Sequence, residues 1–177
     1  MISEKKIPLT VALLLLCLLA SAPIHAEVSK DESDITFWTL AVLNFAGEVE
    51  GLKGDAASER FANGLRETRH FKVAPGLTLQ NAIATLKITP EADTGLISKS
   101  DAKKLSGVLS VDGFITGRIE ANGNVVNLIV TLTSARGRIF GTYTIPVTPT
   151  FSRSEALRIA LQFATRLPYD GLVIEYT

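Results

Sequence analysis

Residues 35–177 predict one α/β domain: a two-layer mixed sheet in which three parallel strands, joined by helical crossovers, run on into an antiparallel meander. Three observations carry this. Ile35 to Phe45 is nearly continuous apolar sequence rich in β-formers, the pattern of a strand covered on both faces. Ala57, Phe61 and Leu65 then recur at helical spacing, with Glu59, Arg60, Arg66 and Glu67 on the other side. From Ser100 to Tyr143 a short helix is followed by a glycine-marked strand and two more strands joined by tight turns.

The first strand leads into glycines at 47, 51 and 54, which predict a flexible loop, and Asp55 is placed to cap the helix that Ala56 opens. Phe71 to Ala74 is a short second strand, stopped by Pro75-Gly76. Thr78 is the expected cap of a helix whose Leu79, Ile83 and Leu86 share a stripe, and Pro90 closes that segment. Ser100 caps the third helix, with Asp101 at its positive end and Leu105, Val108 and Leu109 facing inward. The third strand, Val111 to Glu120, meets the fourth through Asn122-Gly123, a strong hairpin signal. In the fourth, Val126, Leu128, Val130 and Leu132 form an apolar face opposite a mostly polar one. Residues 135–138 turn the chain into a fifth strand, Ile139 to Ile145, and an amphipathic helix follows Ser154. Leu167 to Gly171 breaks that helix, and Leu172 to Tyr176 reads as a last short strand, with 168–177 as the start of a further β element.

The amino terminus has the layout of a secretory leader. Lys5 and Lys6 precede the apolar run, and small residues follow at Ser21, Ala22 and Ala26. Ile7 to Ala20 is 14 residues, short of the roughly 20 that a spanning helix needs. Residues 1–26 are therefore a signal peptide, with cleavage expected after Ala26; a retained anchor is the alternative. Cys17 follows Leu16 where lipoprotein processing requires a small residue, so it reads as a hydrophobe of the leader. Without the leader no cysteine is left, which excludes disulfides, thiol catalysis and thiolate metal sites. Cleavage also removes two Lys and one Glu, leaving 16 basic and 17 acidic side chains. That balance steers the chain toward neither nucleic acid nor an anionic membrane. Residues 27–34, polar with a single Val28, form a disordered lead-in.

Chemistry-bearing constellations are scarce. His70, at the end of the first helix, lacks an evident nucleophile and orienting acid, and a histidine there is favourable with the helix dipole alone. Gly47, Gly51 and Gly54 match neither a P-loop nor a dinucleotide fingerprint, and Glu48 and Glu50 would repel phosphate. Asp31, Glu32 and Asp34 are too few for a calcium site. No catalytic residue, cofactor or metal is expected. Asp112, Gly113 and Gly117 mark a helix-strand junction. Candidate protein-contact residues are Trp38, whose neighbour Phe37 points to the opposite face, the loop glycines Gly47, Gly51 and Gly54, and Arg136 and Arg138 of a basic carboxyl-terminal third.

Leu40 to Phe45, the helix through Phe61 and Leu65, Phe71-Lys72-Val73, Asp101 to Leu109, and Val111 to Gly117 with the following Asn-Gly together resemble the bacterial envelope domain shared by the TolB amino-terminal region, CsgG, FlgO, FlgT and LpoB. The likeness spans residues 37–148. The chain departs from TolB in having no propeller repeats, and from CsgG and LpoB in having no lipidated cysteine. The resemblance implies an anticodon-binding-domain-like fold and a periplasmic, non-enzymatic adaptor or assembly role on another envelope protein, in flagellar, secretion or cell-wall machinery. A ring-forming flagellar or secretion assembly factor, acting as a homo-oligomer, is the alternative within that class. An outer-membrane-associated location is the alternative to a free periplasmic one. A small hydrolase or transferase using His70 and Asp112 is the reading of a different class.

Overall fold

The computed structural model describes residues 39–166. The leader, the lead-in, Phe37 and Trp38, and the last strand expected at Leu172 to Tyr176 lie outside the described residues. Five strands make one sheet. β1 (Thr39–Val42) is flanked by β4 (Lys72–Val73) and β5 (Gly113–Asn122), both parallel to it. β6 (Val125–Ser134) and β7 (Ile139–Val147) continue antiparallel from β5, giving the order β4-β1-β5-β6-β7. A separate two-stranded ribbon joins β2 (Glu48–Val49) to β3 (Leu52–Lys53).

The helices are α1 (Gly54–Thr68), α2 (Gly76–Leu86), α3 (Lys99–Leu109) and α4 (Arg153–Ala164). They cover both faces of the sheet, so the expected two layers are in fact three. Alternate residues of a strand point to opposite faces, and β1 shows the consequence. Leu40 and Val42 join a core with Phe61 and Leu65 of α1 and Ile159 and Phe163 of α4. Ala41 and the adjoining Leu43 join a second core with Leu79 of α2, Leu105 of α3 and Phe114. Topology requires this split. The crossover from β1 to β4 and the one from β4 back past β1 to β5 move in opposite directions along the sheet, and crossovers of one hand then put their helices on opposite faces.

The larger core is set by α1 against α4. Phe61 is fully buried, with its ring 5.7 Å from that of Phe163 in an edge-on contact; burying such a side chain stabilises the fold by about 2–3 kcal/mol. At Gly64 the two helices come close enough to need a glycine, because a Cβ there would lie 2.7 Å from the Ala156 carbonyl oxygen. Tyr143 packs edge-on against Phe163 at 5.3 Å, and burial pushes its phenol above the usual tyrosine range.

Several local expectations shift. α1 opens at Gly54 behind N-cap Lys53, with Asp55 in its first turn; α2 opens at Gly76 behind Pro75, ahead of Thr78. Ser98, not Ser100, caps α3, since its extended backbone lets the hydroxyl accept from the Asp101 N–H. Val108 is exposed, not inward. The β5–β6 turn falls on Gly123-Asn124, one residue late, with Gly123 at positive φ as the first turn position. Both faces of β6 are buried, Asn127, Thr131 and Thr133 included.

Candidate functional site

The carboxyl ends of parallel strands are where an α/β sheet leaves a crevice, since the connections to its helices diverge there. Here β1 leads on to Asn44 and β4 to Ala74, while the first turns of α1 and α2 begin beside them. A cavity of about 510 Å³ opens between these pieces, with Val42, Ala62 and Ala74 among its walls and Asn44, Asn63 and Gln80 supplying amides. A second, about 410 Å³, lies on the other side of β1, lined by Leu79, Ile83, Pro90 and Ala92. The two share Val42, Asn44, Gly76 and Gln80 and so form one groove across the strand end.

Asp55, Glu59 and Arg66 of α1 stand on the wall of the first compartment and Glu91 on that of the second. The Arg66 guanidinium donates to Asn63 Oδ1 at 2.7 Å and to the Ala74 carbonyl at 3.1 Å. Glu91 accepts from Thr94 Oγ1 at 2.7 Å. Leu77, in the first turn of α2, is 72% exposed at the mouth. Its helix has no side-chain cap, because Pro75 has no side-chain oxygen to accept from the first amides. Amides, carboxylates and one exposed apolar side chain make a surface that can hold a polypeptide segment. They do not make a nucleophile with its base.

The loop glycines sit at this same end of the sheet. In place of a flexible loop the chain forms the β2–β3 ribbon, whose turn residues Glu50 and Gly51 both have positive φ, as a two-residue hairpin turn requires. Gly47 accepts from the Gly54 amide at 3.0 Å, tying the ribbon to the start of α1. Gly117 is the crossing point beneath: any Cβ there would collide with the Ile129 carbonyl oxygen and press on the Phe45 ring.

Asp112 and Gly113 are at the opposite, amino end of β5. The Asp112 carboxylate accepts from the Thr39 amide at 2.8 Å, and its own amide donates to the Thr39 carbonyl at 2.8 Å. Arg136 and Arg138 lie in the β6–β7 turn at that end too, with both amides donating to Ser134 Oγ. The structure thus separates the two arginines from the loop glycines. Trp38 lies outside the described residues. His70 is exposed after α1, its ring 6.4 Å from that of Phe71. Among the described residues no three His, Cys, Asp or Glu side chains gather as a metal site, and no helix is long and apolar enough to cross a membrane.

Sequence reasoning missed Asn44, Glu59, Leu77, Gln80 and Glu91. The available signal was positional: all but Glu91, which follows α2 in a loop, lie just past the end of a parallel strand or in the helix after it.

No protein-family model and no curated protein matches this sequence. Among solved structures, the chain is similar to LpoB of E. coli, at 18% identity and a TM-score of 0.48 over 63% of this chain and 59% of that one. It is similar to TolB from Acinetobacter baumannii, at 14% identity and a TM-score of 0.45 over 81% of this chain and 31% of that one. It is also similar to the PelC dodecamer from Paraburkholderia phytofirmans, at 16% identity and a TM-score of 0.44 over 83% of this chain and 99% of that one. Likenesses this remote assign the chain no function.

Proposed function

We propose that the protein is a non-enzymatic adaptor or assembly domain of the bacterial periplasm, exported by its leader, which holds a segment of another envelope protein in the groove at the carboxyl ends of β1 and β4. In this reading the sheet order is anticodon-binding-domain-like. The observation that carries the proposal is the groove itself: two joined compartments with amides in the shared wall and Leu77 exposed at the mouth. An exposed leucine beside polar groups that converge on a crevice is the arrangement of a contact surface.

A photo-crosslinking side chain placed at Leu77, with Val108 on α3 as an exposed apolar control, tests this in living cells. A discrete adduct from position 77 and none from 108 is the expected result. Equal labelling at both positions, or none at 77, overturns the proposal. The ring-forming assembly factor is the second reading, and the observation that favours it is β7, a nine-residue strand at the outer side of the sheet, where strand addition could occur. Pro146, which brings no N–H, interrupts that edge. Light scattering on the eluting protein decides between them: a monomer at high concentration removes the ring.

A further inference from the structure

We infer that the segment held in the groove is an extended peptide carrying a basic side chain next to an apolar one. The inference rests on the adaptor reading of the same groove and adds the chemistry of its occupant.

Charge comes first. Asp55, Glu59 and Glu91 line the two compartments against the single guanidinium of Arg66, a formal balance of −2. Asp55 and Glu59 are both exposed on α1. One Asp55 oxygen accepts from the Ala56 amide at 2.7 Å. Arg66 faces Asn63 and Ala74, as described, and presents only part of its donor fork to an occupant. A lysine or arginine entering the first compartment meets carboxylates there, and its alkyl stem covers Leu77.

Apolar selectivity comes from the second compartment. Leu79, Ile83, Pro90 and Ala92 offer no charged group, and Glu91 alone stands beside them. An aliphatic side chain there leaves water without stranding a polar group. Between the compartments, the amides of Asn44 and Gln80 offer donors and acceptors to a main chain. The first amides of α2, which no side chain caps, offer further donors to its carbonyls. The positive ends of α1 and α2 would by themselves favour an anion. Asp55 already answers the first, and the net negative wall opposes an anionic partner at the second.

The test uses the protein as secreted and two fluorescein-labelled hexapeptides with blocked ends, one alternating lysine with leucine, the other alternating glutamate with leucine. Anisotropy should report binding of the lysine peptide only, weakened by salt. The double substitution Glu59→Lys and Glu91→Lys should weaken it about tenfold, since each reversed exposed pair is worth roughly a factor of two to five. Glu59→Gln with Glu91→Gln, which leaves no new charge to disturb folding, should weaken it about threefold. Equal affinity for both peptides, or an unchanged affinity in both double variants, overturns the inference. If neither peptide binds while position 77 still forms its adduct in cells, the basic occupant is wrong and the adaptor reading stands. If the adduct is also missing, both fall.

Discussion

At the amino end of β1 and β5 the chain closes on itself. The Asp112 amide donates to the Thr39 carbonyl across the strands, the Asp112 carboxylate takes the Thr39 amide, and the Asp112 carbonyl takes the Ala135 amide at 2.9 Å. At the carboxyl end the same strands part: Asn44 is exposed, and β1 regains β5 only at Ala46, which bridges Arg118. Between Val42, opposite Ile115, and Ala46, opposite Arg118, β1 spends four steps on three of β5. The extra residue takes Asn44 out of the ladder, and Asn44 lines both compartments of the groove. One end puts its polar groups to work in folding, whereas at the other Asn44 and Glu59 stay exposed, where the proposed partner would meet them. The same contrast predicts where substitutions cost stability and where they cost only recognition.

The largest expected effect is at the closed end. Asp112→Ala removes the carboxylate that receives the Thr39 amide, and losing a hydrogen bond to a charged acceptor costs about 2 kcal/mol. Urea denaturation should show the unfolding free energy falling by that amount, as a lower midpoint at an unchanged slope. If Asp112→Ala is as stable as the parent, the junction is not what holds β1 to β5, and the distinction between the ends fails.

How far this contrast was legible beforehand depends on how local each feature is. The crossover order and the meander followed from patterns within single segments: Ala57, Phe61 and Leu65 on one stripe of α1, and alternation along β6. The second helical layer was only half legible: the apolar run through Ala41 and Leu43 reads as covered on both faces, but no local pattern says which helices supply the second cover. Helix starts were misplaced by two or three residues where a strand or Pro75 feeds directly into a helix and no side-chain cap is used. The inward placement of Val108 failed because α3 lies over the sheet through Ala102 and Leu105, and Val108 is turned away from that line. The groove was hidden for a different reason. Asn44, Glu59, Leu77 and Glu91 come from four stretches of chain that only the tertiary fold brings together, and none carries a motif.

A middling effect is expected at the start of α3, which lies against the β6–β7 turn; a Cβ on Gly137 would touch Lys99. Ser98→Ala removes the helix cap and should cost about 1 kcal/mol in thermal or urea melts. It should also flatten the acid limb of stability. The hydrogen bond from Ser98 holds the Asp101 carboxyl below its usual 3.8; desolvation opposes it next in size, and the Lys104 ammonium 3.3 Å away adds a smaller lowering. A folded-state value below the unfolded one gives stability that is present above about pH 4 and lost as the pH falls through the folded value. With alanine at 98 that loss should shrink. An acid limb of the same depth in both proteins would mean that Asp101 does not sense its cap.

The smallest effect belongs to the open end, and it is the sharpest test of the comparison. Leu77→Ser changes a side chain that is 72% exposed and outside both cores, so stability should stay within about 0.5 kcal/mol of the parent. Leucine supplies the apolar cover of the groove mouth, however, and serine cannot, so affinity for the lysine-leucine peptide should fall about fivefold, near the worth of one partly buried aliphatic contact. The reverse outcome, a destabilised protein that binds as before, would mean that Leu77 packs inside the fold in solution. The carboxyl end would then be closed like the amino end, and the groove would be a gap in packing with no part in recognition.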